Sequence, residues 1–225
     1  MDMKFMQLLA KSIRIVLPIV FTKNITNDII LGLWKITEPK SFFVEKLGTH
    51  LIDKSKPVNP SKNVGLHWFA SRFLLQQLFN ASNIEIHKDE NNKPTLFIDN
   101  EKYFISISHS FEYVGIMFSK FHEIGFDIEK IDARIERVAH KFLNENEKIF
   151  AQNITSKTLI WSGKETVYKW YSKKELDFKL HMEMQSFTEK NEGEFICILN
   201  KNELKIEISV NYFLIDNYVF TFCFH

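Results

Sequence analysis

Apolar and polar positions repeat with two periods along the chain, and the change from one to the other separates strands from helices. Residues 13–17 (Ile-Arg-Ile-Val-Leu) and 29–36 (Ile-Ile-Leu-Gly-Leu-Trp-Lys-Ile) are apolar and β-branched and predict strands, with a polar turn over 22–28 between them. A stretch rich in Lys, Pro, Asn and Ser over 53–63 predicts a loop, followed by a helix over 64–79. In that helix Leu66, Phe69, Phe73 and Leu74 recur at helical spacing and leave Arg72 at the edge of the buried face. Short strands at 84–87 and 95–98 flank the turn signal Asn91-Asn92-Lys93-Pro94. Residues 103–108 and 113–119 predict a hairpin, and 205–214 and 218–225 predict another about Asp216-Asn217. Two similar hairpins, each closing about half of the chain, suggest an internal duplication. Between them lie a predicted helix over 135–152 and a second carrying 161–170, with Thr155 or Ser156 as its cap.

Composition narrows the class. The 225 residues, 45% hydrophobic and 25% charged, describe a globular chain long enough for one large domain or two halves of about 110 residues each. No Pro- or Ser-rich linker divides them, so the halves are expected to pack as one unit, 1–120 and 121–225. A net charge of +1 supplies no general attraction to nucleic acid or anionic membranes. Twenty-two Phe against seven Gly predict an aromatic core and few free loops. Neither G-x-G-x-x-G nor a Walker loop occurs, so a bound phosphate would be held by side chains and a cation. Cys197 and Cys223 lack metal-ligand spacing and read as small apolar core residues. The apolar N-terminal stretch is interrupted by Lys11, Arg14 and Pro18, and no run approaches the roughly 18 apolar residues of a membrane helix. The expectation is a cytoplasmic protein.

The candidate chemistry lies in two segments. Gly125-Phe126-Asp127-Ile128-Glu129 places two carboxylates two apart on a predicted strand, hence on one face, with Phe126 and Ile128 on the other. Trp161-Ser162-Gly163-Lys164-Glu165-Thr166-Val167-Tyr168-Lys169 reads as a helix on which Glu165 and Lys169 share a face. Acidic pairs on strand faces are ordinarily only solvated. An i to i+4 Glu–Lys pair is ordinarily a surface ion pair worth about 0.3–0.5 kcal/mol. Three carboxylates together would repel, so either a metal joins them or they do not converge. In Ser106-Ile107-Ser108-His109-Ser110, adjacent strand residues point to opposite faces, which argues against a Ser108–His109 nucleophile and base. His109 instead suits donation of a hydrogen bond to an anion.

Ser108-His109-Ser110, Gly125-x-Asp127-x-Glu129 and Trp161-x-x-Lys164-Glu165-x-x-x-Lys169 resemble, in order and spacing, the 4′-phosphopantetheinyl transferases of the surfactin-synthetase-activating type. Lys93-Pro94 and Ser71-Arg72-Phe73-Leu74-Leu75 also look like that family's pattern. The resemblance runs from about Arg72 to Lys169. The family often has Ala where Thr166 stands, and the segment after Lys169 shows little similarity.

The resemblance implies a monomeric α+β fold of two similar halves related by a pseudo-two-fold axis, with coenzyme A between them. It implies transfer of 4′-phosphopantetheine from coenzyme A to a serine of an apo carrier protein, with release of adenosine 3′,5′-bisphosphate. Asp127, Glu129 and Glu165 would hold Mg²⁺. Lys169 would bind the phosphate on which charge grows, and Glu165, directly or through a water, would take the serine proton. His109 and Arg72, with Lys93, Pro94 and Ser108 beside them, would hold the adenosine end of coenzyme A. The N-terminal half would carry the adenosine side, and the C-terminal half the acids and the carrier-docking surface, where Lys173, Lys174 and Lys179 would meet acidic residues. A catalytically silent coenzyme A or carrier-protein binding module and a metal-dependent phosphohydrolase are the competing readings.

Overall fold

Strand β2 (Ile29–Lys35) has six of its seven residues buried, because both of its faces are covered. Ile30 and Trp34 pack into one apolar cluster, while Ile29, Leu31 and Leu33 pack into another on the opposite side. A strand covered twice is apolar throughout rather than alternating, which accounts for the run over 29–34.

The described residues of the computed structural model are 19–53, 62–79, 83–173 and 175–225. The predicted strand over 13–17 and residues 54–61 of the predicted loop lie outside them. Two antiparallel sheets organise the fold. In the first, β1 (Ile19–Asn24), β2, β6 (Tyr113–Ser119), β5 (Glu101–Ser110), β4 (Pro94–Ile98) and β3 (Ile84–Lys88) lie in that order. In the second the order is β7 (Ile124–Lys130), β11 (Tyr218–Phe224), β10 (Leu204–Ile215), β9 (Glu192–Lys201) and β8 (Met182–Met184). The chain leaves the first sheet at Ser119 and enters the second at Ile124.

Helices α1 (Lys40–Asp53) and α2 (Lys62–Leu78) cover the outer face of the first sheet, setting Phe43, Phe69 and Phe73 against Trp34, Ile105 and Phe118. Helix α5 (Ile154–Tyr171) covers the outer face of the second with Leu159, Ile160 and Val167. Between the sheets lies an aromatic layer in which Leu31, Leu33 and Tyr113 meet Phe126, Phe213 and Phe220. Much of the abundant Phe is used here, and the Phe213 and Phe220 rings stack at 5.0 Å. No helix among the described residues is long and apolar enough to cross a membrane.

Both predicted hairpins form, as β5–β6 and β10–β11. Three expectations need correction. The predicted turn over 22–28 is shorter, because β1 continues to Asn24 and the reversal is held by Thr26, whose hydroxyl accepts from the backbone N–H groups of Asp28 and Ile29. The single helix over 135–152 is two, α3 (Ile135–Phe142) and α4 (Glu145–Phe150). Asn144 breaks it with an extended backbone and a reciprocal capping box with Glu147. The cap of α5 is Asn153 rather than Thr155 or Ser156, and Ser156 is its capping-box partner. Helix α1 was not anticipated, although its apolar Phe43, Val44, Leu47 and Leu51 recur at helical spacing.

The junction between the sheets positions the site. β7 is an edge strand, so the N–H groups on its outer side need partners. Three serines on one face of β5 supply them. Ser106, Ser108 and Ser110 accept from the backbone N–H groups of Phe126, Ile128 and Lys130 at 3.0, 3.2 and 3.3 Å.

Candidate active site

Gly125 sets the distance between β7 and α5. A Cβ there would lie 2.2 Å from the backbone oxygen of Thr166, so only glycine permits the helix to approach this closely. The approach turns Ser162 and Lys169 of α5 onto Asp127, which is 4% exposed. Asp127 Oδ1 accepts from Lys169 Nζ at 2.7 Å and from Ser108 Oγ at 2.8 Å, while Oδ2 accepts from Ser162 Oγ at 2.9 Å. Lys169 also donates to Ser108 Oγ at 2.9 Å and to the carbonyl of Phe126 at 3.2 Å, which uses all three of its protons. The Ser108 hydroxyl is equally committed, donating to Asp127 and accepting from Ile128 and Lys169. It joins β5, β7 and α5 at one atom.

Glu129 and Glu165 complete the cluster electrostatically. Glu129 Oε1 accepts from the indole N–H of Trp161 at 2.8 Å, and its carboxyl is pushed up to about 7. Burial is the main cause, followed by the charge of Asp127 and, more weakly, that of Glu165. Glu165 is also pushed up to about 7, by burial first and Asp127 second, with Lys169 opposing. It makes no hydrogen bond to the described residues. Three mutually repelling carboxylates therefore face a single ammonium.

The other predicted residues fall around this centre or away from it. His109 points opposite to Ser108, and its exposed ring stacks on His67 with centroids 4.4 Å apart. Loss of water from the stacked face, then the charges of His67 and Lys169, lower its pKa to about 4, so a neutral imidazole faces any incoming anion at neutral pH. Arg72 lies on α2 beside the Trp68 ring at 4.9 Å and donates to Ser71 Oγ at 3.1 Å. Burial alone lowers its pKa to about 10, and among the described residues no carboxylate balances it. Lys93 donates to Glu123 at 3.1 Å and to the carbonyl of Trp170 at 3.4 Å, tying the turn before β4 to the end of α5. Pro94 opens β4 opposite Lys88. Lys174 lies outside the described residues.

Lys164 belongs to a different structure. Its ammonium is fully enclosed and donates to Glu147 at 2.7 Å and to the carbonyls of Phe142 and Phe178 at 2.7 and 2.8 Å. Glu147 also accepts from the backbone N–H groups of Asn144 and Met184. The pair fastens α4, α5 and β8 together.

The oxygen-only donor set and its surplus negative charge fit a hard divalent cation. As the side chains stand, no three His, Cys, Asp or Glu among the described residues are grouped as a metal site. Asp127 accepts three hydrogen bonds, which leaves about one of its four lone-pair directions open. Ser162, His67 and the donation of the Trp161 indole to Glu129 are not marked by the sequence motifs. The one available signal was position, since Trp161 and Ser162 lie one helical turn before Glu165.

Comparison with known proteins places this region in a class. Residues 123–223, the stretch that carries β7, α5 and the three acids, match the family model described as the 4′-phosphopantetheinyl transferase superfamily. A particular relative, the 4′-phosphopantetheinyl transferase gsp of Aneurinibacillus migulanus, is 35% identical over 105 residues. The alignment takes in 44% of this chain and 43% of that relative, so the chain spans less than half the length of the curated protein it matches. The resemblance drawn from the motifs is borne out over this region.

Proposed function

We propose that the protein transfers the 4′-phosphopantetheine arm of coenzyme A to a serine hydroxyl of an apo acyl or peptidyl carrier protein, releasing adenosine 3′,5′-bisphosphate. The observation that carries this reading is the assembly of Asp127, Glu129, Glu165 and Lys169 within the stretch of superfamily sequence. Mg²⁺, held by the three carboxylates, would neutralise pyrophosphate charge and polarise the attacked phosphorus. Glu165, one helical turn from Lys169 and making no hydrogen bond to the described residues, would take the serine proton directly or through a water. Lys169 is held against Asp127 and Ser108, where its charge meets the developing negative charge on phosphate.

Arg72, half-buried and with no carboxylate against it among the described residues, and the neutral His109 are suited to the 3′-phosphate of the adenosine end. The halves 1–120 and 121–225 would then divide the work into adenosine binding and chemistry, about a pseudo-two-fold axis in a monomeric, cytoplasmic enzyme. Leu180, 76% exposed, with Lys173 and Lys179, would receive an acidic and apolar carrier segment.

Intact-mass analysis of a panel of apo carriers incubated with the protein, coenzyme A and Mg²⁺ tests this. A mass gain on a carrier is expected. Tight coenzyme A binding with no gain on any carrier would establish the silent binding module, and adenosine bisphosphate release without a carrier would establish a phosphohydrolase.

A further inference from the structure

We infer that Thr166 and Thr221 are positioning residues, forming with Ser162 a one-way chain of hydroxyl hydrogen bonds that ends on Asp127 and fixes that carboxylate against Lys169. As a statement about catalysis this rests on the transferase reading. The direction of the chain follows from counting protons. Each hydroxyl has one proton to give, and a carboxylate has none. Asp127 Oδ2 takes the proton of Ser162 at 2.9 Å. The 2.8 Å contact between Ser162 Oγ and Thr221 Oγ1 must then use the proton of Thr221. The 2.6 Å contact between Thr166 Oγ1 and Thr221 Oγ1 must then use the proton of Thr166, with the Thr221 carbonyl as a more distant acceptor at 3.2 Å. The order is Thr166 to Thr221 to Ser162 to Asp127.

The setting makes the chain consequential. Ser162, Thr166 and Thr221 are all 0% exposed, so no bulk water replaces a missing link. A broken link leaves the next buried hydroxyl without the donor it accepts from, and intact links polarise one another toward the carboxylate. The backbone supports the same closure, for Thr221 is the cross-strand partner of Asp127 between β11 and β7, and Ser162 and Thr166 are one turn apart on α5. With Ser108 and Lys169 on Oδ1 and this chain on Oδ2, both oxygens of Asp127 are held.

The test is the ¹³C resonance of the Asp127 carboxyl in protein labelled at its aspartate carboxyls, assigned by its loss in Asp127→Asn, with transfer kinetics measured alongside. Thr166→Val, which keeps the shape and removes the hydroxyl, is expected to move that resonance and to lower turnover about fivefold with KM for coenzyme A unchanged. Thr166→Ser is expected to restore both. In a Ser162→Ala background the chain is already cut, so adding Thr166→Val should change neither further. An unmoved resonance in Thr166→Val, or additive effects of the two substitutions, would overturn the chain. Absence of transfer by the unsubstituted protein would strike the transferase reading alone, and the resonance would still decide the chain.

Discussion

Helix α5 carries two lysines five residues apart, each 2.7 Å from a carboxylate, and the two pairs have opposite characters. Lys164 and Glu147 are both 0% exposed, and every proton of the ammonium goes to the carboxylate or to a carbonyl. Charge there is balanced and sealed. Lys169 is 27% exposed, and its ammonium faces its partner Asp127 and two further carboxylates, Glu129 and Glu165. A closed, balanced pair is a fastening, whereas an open pair with surplus charge is prepared for a ligand.

Breaking the sealed pair should have the largest effect. Lys164→Met leaves Glu147 charged and enclosed, so urea denaturation should show a loss of about 3–5 kcal/mol. Adding Glu147→Gln removes the stranded charge and keeps an acceptor for one of the two backbone N–H groups, those of Asn144 and Met184, that the carboxylate serves, and should recover part of that loss. At the open end the effect should move from stability to chemistry. Lys169→Ala should lower the transfer rate by roughly 10²–10³-fold, because a donor aimed at developing charge is lost, with a far smaller change in urea midpoint. If Lys169→Ala unfolded the protein and Lys164→Met left it stable, the contrast would be reversed.

The smallest effect is on pH dependence. Glu129 and Glu165 are pushed up from 4.5 to about 7, so between those values the folded chain holds protons that the unfolded chain has released. Their contribution to stability is therefore complete below about pH 4.5 and is lost as the pH rises through about 7. The thermal midpoint of metal-free protein should fall across that window, and Mg²⁺ should raise it most at the upper end. A midpoint that rises over the same window would show that the acids are not in conflict.

The contrast between the two lysines was only half legible in the sequence. Spacing alone placed Asp127 and Glu129 on one strand face and Glu165 with Lys169 on one helix face, because each relation is fixed within a single element. Lys164 stood beside Glu165 and Lys169 in one segment, and nothing local marked it as enclosed, since its partner Glu147 lies on α4, across the break before α5 that Asn153 caps. The serines of β5 were visible as an alternation, yet their use as acceptors for the β7 edge depends on how two sheets meet. Ser162 escaped for the same reason. The hairpins and α2 were legible because their apolar periods are long and undisturbed.

The most direct test of the account compares Mg²⁺-dependent mass gain on an apo carrier for the unsubstituted protein, Asp127→Ala and Glu165→Ala. The prediction is a gain that requires Mg²⁺ and coenzyme A in the unsubstituted protein and is lost in both variants, while each variant keeps a cooperative unfolding transition. Transfer by Asp127→Ala or Glu165→Ala at the unsubstituted rate would contradict it.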